Sequence, residues 1–402
     1  MASCSTQPLS QILKIILSSI SAIFILFSPA CHPGGTPSNE GLVDGHPSWL
    51  PQGNVYEVNI RQYTPEGTFQ AFEKNLDRLR AMGVECLWFM PIHPISKVDR
   101  KGQLGSYYAA SHFYQVNPEF GTLEDWKALV KKAQSKGFKV LMDCVPNHTG
   151  ADHYWVKDHP EFYVLDSSTG KPLSPFDWSD VRELNYDNPA LRDSMIDMLK
   201  YWVRETGIDG YRVDVAWGVP DDFWRTCIAE LRKLKPGLMM LAEAEGPNFH
   251  EDGFDATYPW TIFHTLNDIA SGKKNVQALD SLLTAQDSLY PPNAIRLYFT
   301  SNHDENSWNK ADYGTMPGNI HAPFAVFTQT YARSVPLIYS GQEEPFLDSI
   351  SFFYKDTIFF SQYGRADFYR TLLNLRKNNP ALSASVSATK INAGDNRNVF
   401  AF

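Results

Sequence analysis

The chain has 402 residues, of which 43% are hydrophobic and 20% charged, a globular composition that excludes a disordered, collagenous or coiled-coil body. Lys and Arg number 36 against 45 Asp and Glu, which gives a formal net charge of −9. Because neutralising phosphates requires clustered basic residues, we do not expect this acidic chain to bind nucleic acid. The length allows two or three domains of about 150 residues, or one large α/β barrel with insertions.

Residues 1–30 are predicted to form a secretory signal. The run Ile15–Phe27 has the length of a signal's apolar core and is short for a membrane span. Ala30 precedes Cys31, which resembles the lipid-attachment site of bacterial lipoproteins, and residues 31–50 predict a flexible tether. The alternative is an uncleaved N-terminal anchor helix. Both interpretations place the body outside the cytoplasm, either secreted or held at the cell envelope, where the N-terminal lipid is the only expected membrane contact.

The other cysteines of the predicted mature chain are scattered. Cys86, Cys144 and Cys227 form no CxxC pair, and their number is odd. We therefore expect three buried thiols rather than a disulfide framework or a zinc site.

Residues 51–377 alternate short apolar runs with amphipathic stretches, a pattern typical of a parallel sheet with crossover helices. Eight strands are predicted, which favours a closed (β/α)₈ barrel over an open sheet: Val55–Ile60, Glu85–Phe89, Lys139–Cys144, Gly210–Val215, Leu238–Ala242, Ala256–Tyr258, Ala294–Thr300 and Pro336–Tyr339. The predicted helices are Phe69–Ala81, Leu123–Gln134, Leu191–Arg204, Asp221–Leu234, Ile320–Arg333 and Ala366–Lys377.

Two segments interrupt this alternation. Residues 149–185 have no clear period, which predicts a small subdomain inserted after the third strand. Residues 378–402 are too few for a β-sandwich, and we interpret them as the start of a C-terminal β domain that is otherwise truncated.

Polar residues stand where the predicted strands end, which is where a barrel of this type carries its functional side chains. Asp143 ends the third strand, Arg212 and Asp214 the fourth, and Glu243 follows the fifth, while Asp304 follows the seventh. Carboxylates from different strands in one pocket suit glycoside hydrolysis, in which one attacks the anomeric carbon and another protonates the leaving oxygen. One Asp at a strand end is more often a helix cap or an ion-pair partner, so the interpretation depends on the combination.

These strand ends, in this order, resemble the four sequence regions of the α-amylase family, glycoside hydrolase family 13. Three further stretches are similar to the family: Gly83–Pro94, Val116–Thr122 and Pro336–Glu343. The resemblance implies a retaining hydrolase that cleaves α-1,4-glucans, such as starch and maltodextrin, through a covalent glycosyl-enzyme. The alternatives are an α-glucan transglycosylase of the same family and a barrel that binds glycans without catalysis.

The resemblance also implies catalytic roles. Asp214 matches the nucleophile, Glu243 the general acid/base and Asp304 the third carboxylate. Arg212 would keep Asp214 ionised through its fixed charge, and Asp143 would position that arginine.

One acidic residue competes with the implied acid/base. Glu245 lies two residues beyond Glu243 and would share its face if the strand continued. The register of the family favours Glu243, because the apolar run ends at Ala242.

Substrate contacts follow from the same resemblance. Tyr108 matches an aromatic residue that stacks on the bound sugar, and His148 and His303 match a pair that donates hydrogen bonds to it. Trp217 replaces a polar residue and would offer a stacking surface to the acceptor sugar.

The implied chemistry requires no cofactor, but the family often binds a structural calcium ion. Asn147 matches one ligand and Glu183 is a plausible second, although calcium needs about six to eight oxygen ligands. The alternative is that Asn147 is an ordinary hydrogen-bonded residue of the barrel.

Overall fold

The computed structural model describes residues 41–309, 320–344, 348–395 and 397–402. The predicted signal, Cys31 and residues 31–40 of the predicted tether lie outside these ranges. Among the described residues, the structure contains no helix with the length and apolar character needed to cross a membrane.

Eight parallel strands close into a barrel, which confirms the predicted fold class. Their bounds are β1 Val55–Val58, β2 Cys86–Phe89, β3 Lys139–Cys144, β4 Gly210–Val213, β5 Met239–Ala242, β6 Ala256–Thr257, β7 Ile295–Tyr298 and β8 Ser334–Tyr339. Neighbours along the chain pair in parallel around the ring, and β8 pairs with β1 to close it.

The strands are buried on both faces, which is why they appear in the sequence as almost continuous apolar runs. In β2, Leu87 and Phe89 pack in the cluster that includes the surrounding helices, whereas Cys86 and Trp88 belong to the cluster that includes the barrel interior. Successive strand residues point to opposite faces, so this alternation decides which polar side chains enter the barrel.

Helices surround the barrel and lie in the segments that connect its strands. They are Ile60–Tyr63, Phe69–Glu73, Leu76–Met82, Leu123–Ser135, Tyr154–Asp158, Pro189–Thr206, Asp221–Leu234, Asn248–Glu251, Trp260–Ala270, Val276–Leu289, His303–Asn309, His321–Thr330 and Ala366–Asn378. Short 3₁₀ turns occupy Leu50–Gln52, Pro160–Phe162, Ala216–Gly218 and Pro380–Leu382.

One helix prediction is corrected, and two helices were not predicted. The single helix predicted over Phe69–Ala81 is broken at Lys74–Asn75. The side-chain nitrogen Nδ2 of Asn75 donates to the Ala71 carbonyl at 3.5 Å, and a second helix begins directly after Asn75. Between β6 and β7, the sequence analysis overlooked Trp260–Ala270 and Val276–Leu289. The second of these carries a helical signal, because Leu279, Leu283 and Gln286 recur at helical spacing and are buried.

The stretch without periodicity leaves the barrel at the carboxyl end of β3. The strands His148–Gly150 and Val181–Glu183 pair antiparallel, with His148 opposite Glu183. The chain between them contains the helix Tyr154–Asp158 and the 3₁₀ turn Pro160–Phe162, followed by turns and irregular segments. An ion pair of 3.1 Å joins Lys101 Nζ to Asp180 Oδ1 and ties this stretch to the loop after β2. The excursion therefore forms part of the rim around the carboxyl ends of the strands.

The C-terminal residues return to the barrel. Ala384 donates its backbone N–H to the Pro51 carbonyl at 2.6 Å, and Phe400 packs against Phe327 and Tyr331. Within residues 378–402, Ile391 and Ala401 form a single antiparallel bridge. The start of a further β domain in residues 378–402 stays a prediction.

Candidate active site

A cavity of about 690 Å³ opens at the carboxyl ends of the barrel strands. It brings together most of the side chains singled out in the sequence, namely Tyr108, His148, Asp214, Trp217, Glu243, His303 and Asp304. Arg212 and Asp143 are fully buried against this group. Their placement follows from strand alternation, because Asp143 and Arg212 are register partners in β3 and β4.

Arg212 joins the acidic residues of the site. One guanidinium nitrogen, Nη1, lies 2.9 Å from Asp214 Oδ1 and 3.1 Å from Asp143 Oδ1, and the other, Nη2, lies 2.7 Å from Glu243 Oε1. The ring of Trp88 faces the same guanidinium at 5.0 Å. A single buried cation thus fixes three carboxylates that come from three strands and their ends.

Burial has a larger effect on the pKa values of Asp214 and Glu243 than the charge of Arg212 does. It raises the pKa of Asp214 to about 6 even though the charge of Arg212 lowers it. It raises the pKa of Glu243 to about 7, against the effect of Arg212 and with help from Asp214 and Asp304. A larger fraction of Asp214 than of Glu243 is therefore ionised at pH 7, and Glu243 keeps its proton to higher pH.

A turn directly after Asp214 orients Glu243. Val215 has φ +45° and ψ 44°, a left-handed conformation that is unfavourable for a β-branched residue. Its N–H donates to Glu243 Oε2 at 2.8 Å. The strained turn therefore provides a backbone donor that fixes the second oxygen of that carboxylate.

The choice between the two glutamates is decided by where the strand ends. β5 stops at Ala242, so strand alternation does not extend to residue 245. Glu245 accepts hydrogen bonds from the N–H of Thr261 at 3.0 Å and from Gln286 Nε2 at 3.2 Å. It caps the helix Trp260–Ala270, whereas Glu243 faces the cavity.

Asp143 lies below the cavity and receives more donors than the sequence analysis anticipated. Trp88 Nε1 donates to Asp143 Oδ2 at 3.1 Å, and the hydroxyl of Tyr108 donates to the same oxygen at 3.2 Å. Trp88 was overlooked, although its position in β2 faces the barrel interior by the alternation of that strand.

The pKa values of the two histidines are shifted in opposite directions. Burial lowers the pKa of His148 to about 4, against a hydrogen bond to the Tyr108 backbone, so this ring is neutral at pH 7. Burial would also lower the pKa of His303, but the charges of Asp304 and Glu57 raise it to about 9. The pKa of His303 is therefore raised above neutral pH, whereas that of His148 is lowered below it.

A set of aromatic side chains extends from His148 toward the mouth of the cavity. The ring of Trp178 lies 5.6 Å from His148, and Phe176 lies 5.0 Å from Trp178 and 5.7 Å from Trp217. Trp217 is 55% exposed and Phe176 65%, and Phe176 has φ +52°. Phe176 and Trp178 lie in the stretch without periodicity, where no sequence pattern singled them out.

The calcium prediction rests on Asn147 and on Glu183, which lies opposite His148 in the antiparallel pair. The Asn147 side chain packs closely against its neighbours. Its amide nitrogen lies 3.2 Å from His148 Nδ1, and its Oδ1 lies so near the Gly218 backbone that a Cβ added to Gly218 would be only 2.3 Å away. Across the described ranges, His, Cys, Asp and Glu side chains form no group of three or more that could hold a metal ion. Calcium also takes amide and backbone carbonyl oxygens, so the structural calcium ion stays a prediction.

A closed parallel barrel with a carboxylate-lined cavity at its carboxyl end defines a (β/α)₈-barrel protein with the site in the position usual for enzymes of that fold. The family model for the alpha amylase catalytic domain matches residues 38–357. The chain belongs to the alpha-amylase family, which confirms the resemblance found in the sequence.

Three relatives illustrate the range of the family. A crystal structure of the maltogenic alpha-amylase AmyB from Thermotoga neapolitana is 33% identical, with a TM-score of 0.77 over 83% of this chain and 78% of the other. Alpha-amylase MalA from Haloarcula japonica is 27% identical over 86% of this chain and 51% of that protein. An alpha-1,4-glucan:maltose-1-phosphate maltosyltransferase from Corynebacterium pseudotuberculosis is 26% identical over 84% of this chain and 53% of that protein. The chain thus spans about half the length of these two curated relatives.

Proposed function

We propose that this chain is a retaining glycoside hydrolase that cleaves α-1,4 bonds in starch-like glucans and maltodextrins. One observation carries the proposal: Asp214 and Glu243 reach the same cavity from adjacent strand ends, and a single guanidinium contacts both. Two carboxyl groups in one cavity, one ionised and one able to hold a proton near pH 7, are what a double-displacement glycosidase needs.

In this mechanism, Asp214 attacks the anomeric carbon while Glu243 gives its proton to the glycosidic oxygen. The bond from C1 to that oxygen breaks, the leaving sugar departs as an alcohol, and the remaining sugar is held as an ester of Asp214. Glu243, now ionised, takes a proton from water as the water attacks C1, and both carboxyl groups return to their starting states. Asp304, His148, His303 and Tyr108 line the space for the reacting sugar.

Product analysis tests this proposal. The protein is incubated first with maltoheptaose and then with pullulan, and the products are resolved by size and by anomeric form. We expect shorter sugars that are initially α-anomeric. Products that are initially β-anomeric would contradict the retaining mechanism, and intact substrate in the presence of measurable binding would contradict catalysis.

A second candidate function, transglycosylation, is favoured by the exposed aromatic rings of Trp217 and Phe176. The glycosyl-enzyme is the same, but a sugar hydroxyl replaces water as the acceptor. A stacking platform beside the nucleophile would raise the local occupancy of a sugar acceptor relative to water. Products longer than the starting maltodextrin would identify this activity.

Replacing Trp217 with Ala is expected to lower the ratio of transfer to hydrolysis about two- to tenfold, since stacking of this kind is worth about 0.5–1.5 kcal/mol. The ratio is measured from product lengths at high maltotriose concentration. Trp308→Ala is the matched control, because Trp308 is 53% exposed and lines the cavity but packs against Phe352 instead. Equal losses of transfer in both variants would contradict an acceptor platform at Trp217.

We also propose that the protein is exported and held at a bacterial cell envelope by a lipid on Cys31. Support comes from the sequence, in which the apolar run Ile15–Phe27 leads to Ala30–Cys31. With tritiated palmitate in a bacterial host, we expect label in the wild-type protein and none in Cys31→Ala. A labelled Cys31→Ala protein, or an unlabelled wild type that stays with the membrane, would contradict this attachment.

A further inference from the structure

A buried carboxylate on β1 has no role in the mechanism above. Glu57 is completely buried and pairs in register with Trp88, whose side chain faces the interior of the barrel. Its Oε1 lies 2.5 Å from His303 Nδ1, although the two residues are 246 positions apart in the chain. Its Oε2 finds no hydrogen-bond partner within the described part of the chain.

The opposite edge of the His303 ring meets Tyr108. The Nε2 atom lies 2.8 Å from the Tyr108 hydroxyl, and the two rings stack with centroids 5.3 Å apart. Tyr108 has one hydroxyl proton, which it donates to Asp143 Oδ2, so it accepts from Nε2–H. Burial raises the pKa of Glu57, and the charge of His303 lowers it. An ionised Glu57 can only accept, which places a hydrogen on Nδ1 as well. With Glu57 ionised, these contacts fit a doubly protonated imidazolium.

The contacts continue from His303 to the nucleophile. Asp143, which receives the Tyr108 hydroxyl, accepts from Arg212 Nη1 at 3.1 Å, and the same nitrogen donates to Asp214 Oδ1 at 2.9 Å. A continuous series of hydrogen bonds therefore begins at Glu57 on β1 and ends at Asp214 after β4. Since each member fixes the orientation of the next, the charge at one end affects the geometry at the other.

The charged groups around His303 come from several elements. Glu57 faces it from β1 and Asp304 from the adjoining helix, with Asp304 Oδ2 at 3.4 Å from Nε2. Arg212 on β4 is the nearby positive charge and opposes protonation, while Asp143 on β3 is acidic. Asp304 is 36% exposed, whereas Glu57 is completely buried, so the charge of Glu57 is the less screened of the two partners.

We propose that Glu57 is a positioning residue that holds His303 as a fixed imidazolium and, through His303, sets the places of Tyr108 and Asp304 around the reacting sugar. The consequence for catalysis rests on the proposed function, but the charge state of His303 does not. The competing explanation is a buried ion pair that contributes only to the fold.

The first experiment measures the charge of His303 directly. In ¹⁵N-histidine-labelled protein, the His303 signals are assigned by their absence from His303→Gln and followed from pH 5 to 10. We expect the wild-type ring to stay doubly protonated through pH 7. The Glu57→Gln variant keeps the shape of the side chain and an accepting oxygen but loses the charge. In this variant we expect the midpoint of the His303 titration to fall by about 1–3 pH units. A wild-type ring that is neutral at pH 7, or an unchanged midpoint in the variant, overturns the proposal.

The second experiment measures activity against pH. At pH 5 His303 is protonated with or without Glu57, so Glu57→Gln should lose little kcat/KM there. By pH 8 the loss should be about twofold if the midpoint falls by one unit and about tenfold or more if it falls by two or three, because the uncharged ring no longer donates from both nitrogens. A loss of the same size at every pH would indicate a purely structural role and overturn the proposal.

Glu343→Gln is the matched control. Glu343 is also completely buried in the barrel, where it accepts from the Tyr56 hydroxyl at 2.7 Å and pairs with Arg78 at 3.1 Å. Neither of these interactions involves His303, so the midpoint of the His303 titration should not move in this variant. If Glu57→Gln does not fold, the wild-type titration still decides whether His303 is a cation. If the wild-type protein has no glucan activity, the titration separates failure of the proposed function from failure of this inference.

Discussion

Replacing Asp214 with Asn is expected to lower kcat/KM for maltoheptaose by about 10⁴-fold or more, which corresponds to about 5 kcal/mol of lost transition-state stabilisation. The amide has the size of the carboxylate and still accepts from Arg212, but it cannot form the glycosyl ester. Because the carboxylate is buried beside two other acids, neutralising it should not destabilise the fold. Hydrolysis is measured by reducing ends, and maltoheptaose binding by calorimetry.

The same variant separates an enzyme from a glycan-binding barrel. An enzyme whose Asp214 is the nucleophile loses turnover and keeps its affinity for the glucan within a few fold. Asp222→Asn is the matched control, since Asp222 lies on the helix that follows this strand end and forms an exposed ion pair with Arg192 at 2.6 Å. Wild-type protein that binds maltoheptaose without cleaving it would support the binding barrel, and an Asp214→Asn protein with undiminished turnover would place the nucleophile elsewhere.

Replacing Glu243 with Gln should lower kcat/KM by about 10²–10⁴-fold on natural glucans, the usual contribution of general acid/base catalysis. The loss should be much smaller for a maltoside of 2,4-dinitrophenol, whose leaving group departs without protonation. In this variant the glycosyl-enzyme forms, but its hydrolysis is slow because no general base activates the water. Azide needs no base to attack, so it should restore turnover and yield an α-glycosyl azide. No restoration by azide would contradict the assignment of Glu243 as the acid/base.

The pH profile offers an independent view of the same residue. Asp214 must be ionised, which fails as the pH falls below its pKa of about 6, and Glu243 must be protonated, which fails as the pH rises above its pKa of about 7. Wild-type kcat/KM should therefore peak between these values and fall on both sides. The alkaline fall should vanish in Glu243→Gln and persist in Glu245→Gln, the control that removes a helix-capping carboxylate two residues away.

The sequence by itself determined the barrel and the identity of its most polar strand ends. Buried parallel strands impose a run of apolar residues that stops where the chain reaches the rim, so Asp214 and Glu243 could be placed from the ends of those runs. This information is local, since hydrophobic periodicity is a property of neighbouring residues. It failed where local order was interrupted, as at Lys74–Asn75, where one predicted helix proved to be two.

Only the tertiary structure decided which side chains meet across the barrel. Glu57 is an acid within an apolar run of the sequence, and its contact with His303 depends on the closure of all eight strands in one register. Phe176 reaches Trp217 only because the inserted stretch folds back over the rim. Such contacts join residues that are far apart in the chain. Their distances follow from the register of the strands and the path of the loops, and the alternation of apolar and polar residues does not determine either of these.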